Sequence, residues 1–282
     1  MGKVRIITDS TAYLPQEFVN QYSIEVVPLT LNWNEKSYLD GIDIKAEEFY
    51  TLLKDSETLP TTNAVSIHTY TEAIQKLLDT GYEVMLLPIS SGISASYFNA
   101  VKAVEAFAGR PVELIDTQLV SMALSFMVLS AARVAESGAS LAEVKQIAQK
   151  AYDHIGVYFT VDTLKYLHKG GRIGGAKRLL GSALSIKPIL QIHDGKIEAA
   201  GSAVTRKKAL ERLIKLVGEG IAGQTPVRIS VFHALDLATA NYLMERCKEE
   251  FSPMELILSE VSPVVGSHVG PGTVSIAWMA GM

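Results

Sequence analysis

Cysteine is almost absent from this chain: Cys247 stands alone among 282 residues. A single thiol can build neither an internal disulfide framework nor a cysteine-based zinc site, and such sparing use fits a reducing, cytoplasmic location. Positive charge is not in excess either. Lys and Arg number 26 against 30 Asp and Glu, for a formal net charge of −4, which argues against a nucleic-acid binder and its basic face. A membrane span is lacking as well. The stretch between Gln118 and Arg133 is uncharged and largely apolar, with three serines, but its length suits a buried core helix and falls short of the about 18–20 residues a span requires. No long apolar region precedes the first strand pattern, so no signal peptide is expected, and Ile6 stands where a myristoylation signal wants Ser or Thr. Repeats and low-complexity segments are missing. What is left is a soluble chain whose hydrophobic share, 48%, allows a sizeable core.

Strands and helices alternate through the first half. Apolar runs at 4–7, 24–31, 83–89 and 112–115 read as strands, and helices are predicted after Pro15, over 45–54, 71–80 and about 94–107, after Thr117, and over about 140–152. The alternation predicts an α/β fold with a mostly parallel sheet covered by helices on both faces. A change of character near 155–161 divides the chain into an N-terminal α/β lobe, 1–155, and a C-terminal mixed α/β lobe, 156–282. The second lobe is expected to hold a helix over 177–184, an extended segment over 185–191, a hairpin turn at His193-Asp194-Gly195-Lys196, a helix over 206–217, and strands at 227–232 and 256–260 about a further helix. Its closing segment, 261–279, ends in a strand that could serve either lobe.

The chain is arranged around the stretch from Thr160 to Arg178, in which an apolar strand runs into one helical turn over 163–168, then Gly170-Gly171-Arg172-Ile173-Gly174-Gly175 and a new helix. Double glycines on both sides of Arg172 free the backbone to take positive φ and to approach another group closely. A solvated interdomain loop is the plainer alternative. A phosphate-binding loop fails at the residues that carry its mechanism: Ala176 occupies the second glycine position and Arg178 the magnesium-binding hydroxyl position. The G-x-S-x-G elbow of a serine hydrolase is missing, and no spacing of His or carboxylates points to a metal. Hydroxyl and carboxylate clusters follow three strands: Asp9-Ser10-Thr11, Ser90-Ser91-Gly92-Ile93-Ser94 and Asp116-Thr117. Asp9 and Asp116 read first as local caps, whereas a single cap does not need the serines of the second cluster. Thr61-Thr62-Asn63 reads as a hydroxyl-rich loop. With Arg172, Arg206 and His268 on glycine-rich or helix-start segments, the pattern points to binding of an anionic group. Composition and spacing go no further.

In their order, and over nearly the whole chain, Ile7-Thr8-Asp9-Ser10, Leu59-Pro60-Thr61-Thr62, Ile89-Ser90-Ser91-Gly92-Ile93-Ser94, the stretch from Asp162 through Ile173, Ser185-Ile186-Lys187-Pro188-Ile189-Leu190, Thr205-Arg206-Lys207-Lys208-Ala209 and Gly266-Ser267-His268-Val269-Gly270-Pro271-Gly272 resemble the DegV family of bacterial lipid-binding proteins. That family includes the fatty-acid-binding subunits of the two-component fatty acid kinase. The resemblance implies two α/β lobes with a long-chain fatty acid between or beneath them. It implies that Thr62 and Ser94 hold the carboxylate, that His268 completes the head-group network, and that Arg172 and Arg206 lie at the exposed mouth. There a kinase subunit would phosphorylate the carboxylate to an acyl phosphate. It further implies no catalytic residue, ATP site, cofactor or metal of the chain's own, and at most transient membrane contact. Asn63-Ala64-Val65 stands where the family commonly has Ser-Gln-Pro, Ala95-Ser96 replaces Gly-Thr, and Ser275 fills a place often taken by glycine; these departures bear on chain length and saturation. Two further readings stay open: lipid transport or sensing without a kinase, and a free-standing phosphotransferase or hydrolase using the same anion site.

Overall fold

A computed structural model describes residues 3–54, 56–181 and 186–282. The strands of the first half are β1 (Val4–Asp9), β2 (Glu25–Val27), β3 (Thr30–Trp33), β4 (Lys36–Leu39), β5 (Thr61–Asn63), β6 (Glu83–Leu87) and β7 (Val112–Leu114). Those of the second are β8 (Ile155–Thr160), β9 (Lys187–His193), β10 (Lys196–Ala203), β11 (Val227–His233), β12 (Glu255–Glu260) and β13 (Val274–Ala280). The helices are α1 (Gln16–Gln21), α2 (Ala46–Lys54), α3 (Ile67–Asp79), α4 (Ser96–Glu105), α5 (Ser121–Glu136), α6 (Leu141–Ala151), α7 (Lys165–Lys169), α8 (Arg206–Ile221), α9 (Leu237–Phe251) and α10 (Pro263–Val269).

The fold is α/β, with a parallel sheet followed by a mixed one. The first sheet runs β2-β1-β6-β7 with every pairing parallel. Its central strands β1 and β6 are buried almost throughout, which is why they read as mainly apolar runs, interrupted in β1 by Arg5, rather than as alternation. The second sheet runs β10-β9-β8-β13-β11-β12 and is antiparallel except for the parallel β11–β12 pair. The expected hairpin joins β9 to β10, with Asp194 and Gly195 both at positive φ, as a tight two-residue turn requires.

Between the two sheets lies α5. Thirteen of its sixteen residues are buried, and it packs on β1 as well as on β8 and β13. A helix enclosed on all sides has no use for a polar face, and the apolar stretch after Gln118 is accounted for as this core helix. No helix among the described residues is long and apolar enough to cross a membrane.

A third, small sheet, β4-β3-β5, differs from the expectation. One strand over 24–31 is in fact two, because Pro28 supplies no amide hydrogen to a ladder. Asn34 and Glu35, both at positive φ, close the β3–β4 hairpin without the glycine that usually announces such a turn. Thr61-Thr62-Asn63 is likewise not a loop but the short strand β5, paired antiparallel to Thr30–Asn32. Where a helix is expected over 177–184, Gly174–Leu179 forms a 3₁₀ segment. Positions 182–185, which take in the last three positions of that expected helix and the start of the expected extended segment, lie outside the described residues.

Candidate functional site

The carboxylates at the strand ends do local work. Asp9, wholly buried at the end of β1, accepts hydrogen bonds from the Thr11 amide and hydroxyl and from the Ile89 amide at 3.1, 2.5 and 2.7 Å. Burial pushes its carboxyl up to about 6 against the pull of those bonds. Asp116 accepts from the Ser91 amide at 3.0 Å and from the Ser91 hydroxyl. Asp9 caps the 3₁₀ turn after β1, and Asp116 ties the loop after β6 to the end of β7; both roles are structural, in line with the plainer reading. The serines divide their tasks. Ser90 donates to the Gly195 carbonyl at 2.7 Å, joining the loop after β6 to the β9–β10 hairpin. Ser94 and Ser96 lie 3.0 Å apart, and Ser96 accepts the Val65 amide at 3.2 Å.

Thr62 and His268 are 206 positions apart in sequence, yet Thr62 Oγ1 lies 2.9 Å from His268 Nε2. The small sheet presents Thr62, and α10 presents His268. Two contacts hold the approach to α10 against the first half of the chain: the Tyr50 hydroxyl donates to the Val261 carbonyl at 3.0 Å, and the Val264 amide donates to Asp40 Oδ1 at 3.2 Å. Asp40 also accepts the Ser10 hydroxyl at 2.7 Å. Burial pushes its carboxyl up to about 7, the nearby Asp9 adding to the rise. On the imidazole, burial first and the positive charge of Arg172 second push the pKa down to about 4. His268 is therefore neutral near pH 7. Its Nδ1 is buried without a partner. An unfilled acceptor is tolerated better than an orphaned N–H donor, so we assign the proton to Nε2. The imidazole then donates to Thr62, which leaves the threonine hydroxyl free to donate onward.

Arg172 is half-buried and fastened at both ends of its guanidinium: Nε donates to the Ile93 carbonyl at 3.2 Å and Nη1 to the Gly170 carbonyl at 2.7 Å. Its Nη2 has no protein partner among the described residues. The glycines before it are needed for different reasons. Gly171 has φ +72°, while Gly170 has ordinary backbone, but a Cβ there would lie 2.2 Å from His268 Nδ1. The loop is thus shaped by its approach to the histidine, not by solvation.

Thr62, Ser94, His268 and Arg172 line one cavity of about 460 Å³, within the range of about 300–1,000 Å³ usual for small-molecule sites. The rest of the wall is mainly apolar, with Ile89, Val120, Val157, Phe159, Phe232 and Val264 among its residues; it draws on the second large sheet, the small sheet and the segments that follow the strands of the first. Arg206 does not line this cavity. Its Nη2 donates to Asp236 at 2.8 Å and to the Gly272 carbonyl at 2.7 Å, and Nη1 lies 3.6 Å from Asp162. Of the wall that the second large sheet supplies, Ser275 alone stands out in the sequence, and Val157, Phe159 and Phe232 do not. Alternation in Val274-Ser275-Ile276-Ala277-Trp278-Met279-Ala280 was its available signal, since Ser275 and Ala277 share the inward face. Cys247 is buried, its thiol pushed up to about 12 by desolvation, and takes no part.

Comparison with known proteins completes the description. Residues 3–281 match a family described as "Uncharacterised protein, DegV family". A DegV domain-containing protein of Listeria monocytogenes is 34% identical over 98% of both chains. Among solved structures, a DegV family protein from Thermus thermophilus, described for its fatty acid binding, is 32% identical with a TM-score of 0.93 over 99% of both chains. DegV of Bacillus subtilis, described as a fatty acid binding protein, is 30% identical with a TM-score of 0.90, covering 99% of this chain and all of that one.

Proposed function

The chain belongs to the DegV family, and on that premise we propose that it binds a long-chain fatty acid and presents the carboxylate to a partner kinase for acyl-phosphate formation. The observation that carries the reading is the single cavity with Thr62, Ser94, His268 and Arg172 at its polar part and apolar side chains over most of the remainder. The relatives from Thermus thermophilus and Bacillus subtilis, described as binding fatty acids, support it. Residues 1–155 supply the hydroxyls in this reading, and residues 156–282 supply Arg172 and His268.

The energetics follow the division of the wall. Burying about 0.8 kcal/mol per methylene makes a sixteen-carbon tail worth on the order of 10 kcal/mol gross, less the costs of ordering and desolvation. Each neutral hydroxyl contact adds about 1 kcal/mol net. The tail sets affinity, and the hydroxyls select a carboxylate. Thr62, its oxygen occupied by the His268 proton, donates to one carboxylate oxygen; Ser94 donates to the other. Arg172 directs its spare Nη2 at the anion and favours its charged form. Arg206 supports the transfer from outside the cavity, through the Gly272 carbonyl beside it. The kinase subunit brings ATP, since Ala176 and Arg178 spoil the phosphate loop here. The reading places the protein in the cytoplasm and requires no cofactor or metal of its own.

Denaturing mass spectrometry of lipid extracted from purified recombinant protein tests it. Fatty acid at near-stoichiometric amount is expected; a clean apo protein that ignores added palmitate or oleate would overturn the proposal. For the transfer step, Arg172→Ala and Arg206→Ala are each expected to retain lipid but lose acyl-phosphate formation with the kinase subunit. Full activity in both would remove the roles assigned to them.

A further inference from the structure

Two hydroxyls in the wall of the cavity have no hydrogen-bond partner among the described residues. Ser275 is 2% exposed and sits in β13 directly opposite Phe159 of β8 and Phe232 of β11. The three therefore share one face of the sheet, and all three line the cavity. A short polar side chain between two phenylalanines leaves a recess whose floor is an oxygen. Ser121, 5% exposed at the start of α5, lines the same cavity. The other serines of that helix are occupied, Ser125 with the Ala12 carbonyl at 2.7 Å and Ser130 with the Phe126 carbonyl at 2.8 Å. The other hydroxyls of the inner wall are occupied too: Thr11 donates to Asp9, and Thr273 to the Gly270 carbonyl at 2.9 Å. Ser275 and Ser121 are the exceptions.

A saturated tail offers such hydroxyls nothing and displaces any water that could satisfy them, leaving buried polar groups unpaired. Ser275 lies between Phe159 and Phe232, on the apolar part of the wall that the second large sheet supplies. We propose that the cavity is suited to an acyl chain bearing an oxygen along its length: a hydroxylated long-chain fatty acid, its hydroxyl seated at Ser275, with Ser121 as the second partner. The inference rests on the fatty-acid reading above and extends it from head group to tail.

Dissociation constants for stearate and for a series of hydroxystearates, differing in which mid-chain carbon carries the hydroxyl, test it on the wild type, Ser275→Ala, Ser275→Thr and Ser121→Ala. For at least one isomer, the affinity relative to stearate is expected to fall about fivefold or more in Ser275→Ala, with stearate itself bound more tightly. Ser275→Thr should restore the ratio, and Ser121→Ala should lower it by less. An unchanged ratio for every isomer would overturn the inference while leaving fatty-acid binding intact. So would an equal weakening of all acids by Ser275→Ala, since that would make Ser275 a head-group contact. Failure of every acid to bind the wild type would overturn the underlying reading and this inference together.

Discussion

Thr62 is the residue on which the head-group account turns, because one hydroxyl both receives the imidazole proton and faces the ligand. Thr62→Ala removes the donor and strands the buried His268 N–H, each costing about 1 kcal/mol or more. Isothermal titration with palmitate should show binding about 5- to 30-fold weaker, and Thr62→Ser should recover most of it. The state of His268 offers an independent check. Its pKa lies near 4 through burial and through repulsion by Arg172, so the imidazole stays neutral from pH 8 down to about 5. Arg172→Ala removes the repulsion but not the burial. In an NMR titration the pKa should rise toward, without reaching, the ordinary 6.5; an unmoved value would place Arg172 too far away to act on the site.

At the scale of elements, the claim is that α10 and the loop before Arg172 are fitted to each other. Gly170→Ala forces a methyl group to within 2.2 Å of His268 Nδ1 while asking nothing unusual of the backbone. It should destabilise by about 1–3 kcal/mol and abolish lipid retention. At Gly171 a Cβ meets nothing within 4 Å, and only its φ of +72° penalises a side chain. Gly171→Ala should therefore cost about 1–2 kcal/mol of stability and keep the lipid, as thermal melts with lipid extraction would show. Asp40, which accepts the Val264 amide, the first N–H of α10 after Pro263, adds a pH dependence. Its folded pKa of about 7 lies above the unfolded 3.8, so its contribution to stability is fully present below about pH 4 and is lost as pH rises through 7. His268 works in the opposite sense: its folded pKa of about 4 is below 6.5, so its contribution is present above about 6.5 and lost as pH falls through 4. In Asp40→Asn the decline of Tm between pH 5 and 8 should flatten; an undiminished decline would assign it to other groups, Asp9 first.

Across the whole molecule, what could be read from the sequence depended on how local the cause was. The parallel strands β1 and β6 and the core helix α5 announce themselves because burial on nearly every side leaves a mainly apolar run. The Asp194-Gly195 turn is equally legible. The small sheet was not: β5 has three residues, and Asn34-Glu35 takes a glycine-like conformation without glycine. No local pattern could join Thr62 to His268 across 206 positions; only resemblance to a family placed them together, and the geometry now supplies the bond between them. Resemblance also grouped Arg206 with Arg172, whereas the fold sets Arg206 among Asp162, Asp236 and the Gly272 carbonyl, outside the cavity wall. Ser275 of β13 stood out only as a departure from the glycine common in the family, because its setting depends on the phenylalanines of the two flanking strands. The central claim, that a fatty carboxylate is held by the Thr62–His268 pair beside Arg172, is tested most directly by ¹³C NMR of carboxyl-labelled palmitate bound to the protein. The account requires a carboxyl resonance resolved from free palmitate and displaced again in both Thr62→Ala and Arg172→Ala. A resonance identical to that of free palmitate, or one indifferent to both substitutions, would contradict it.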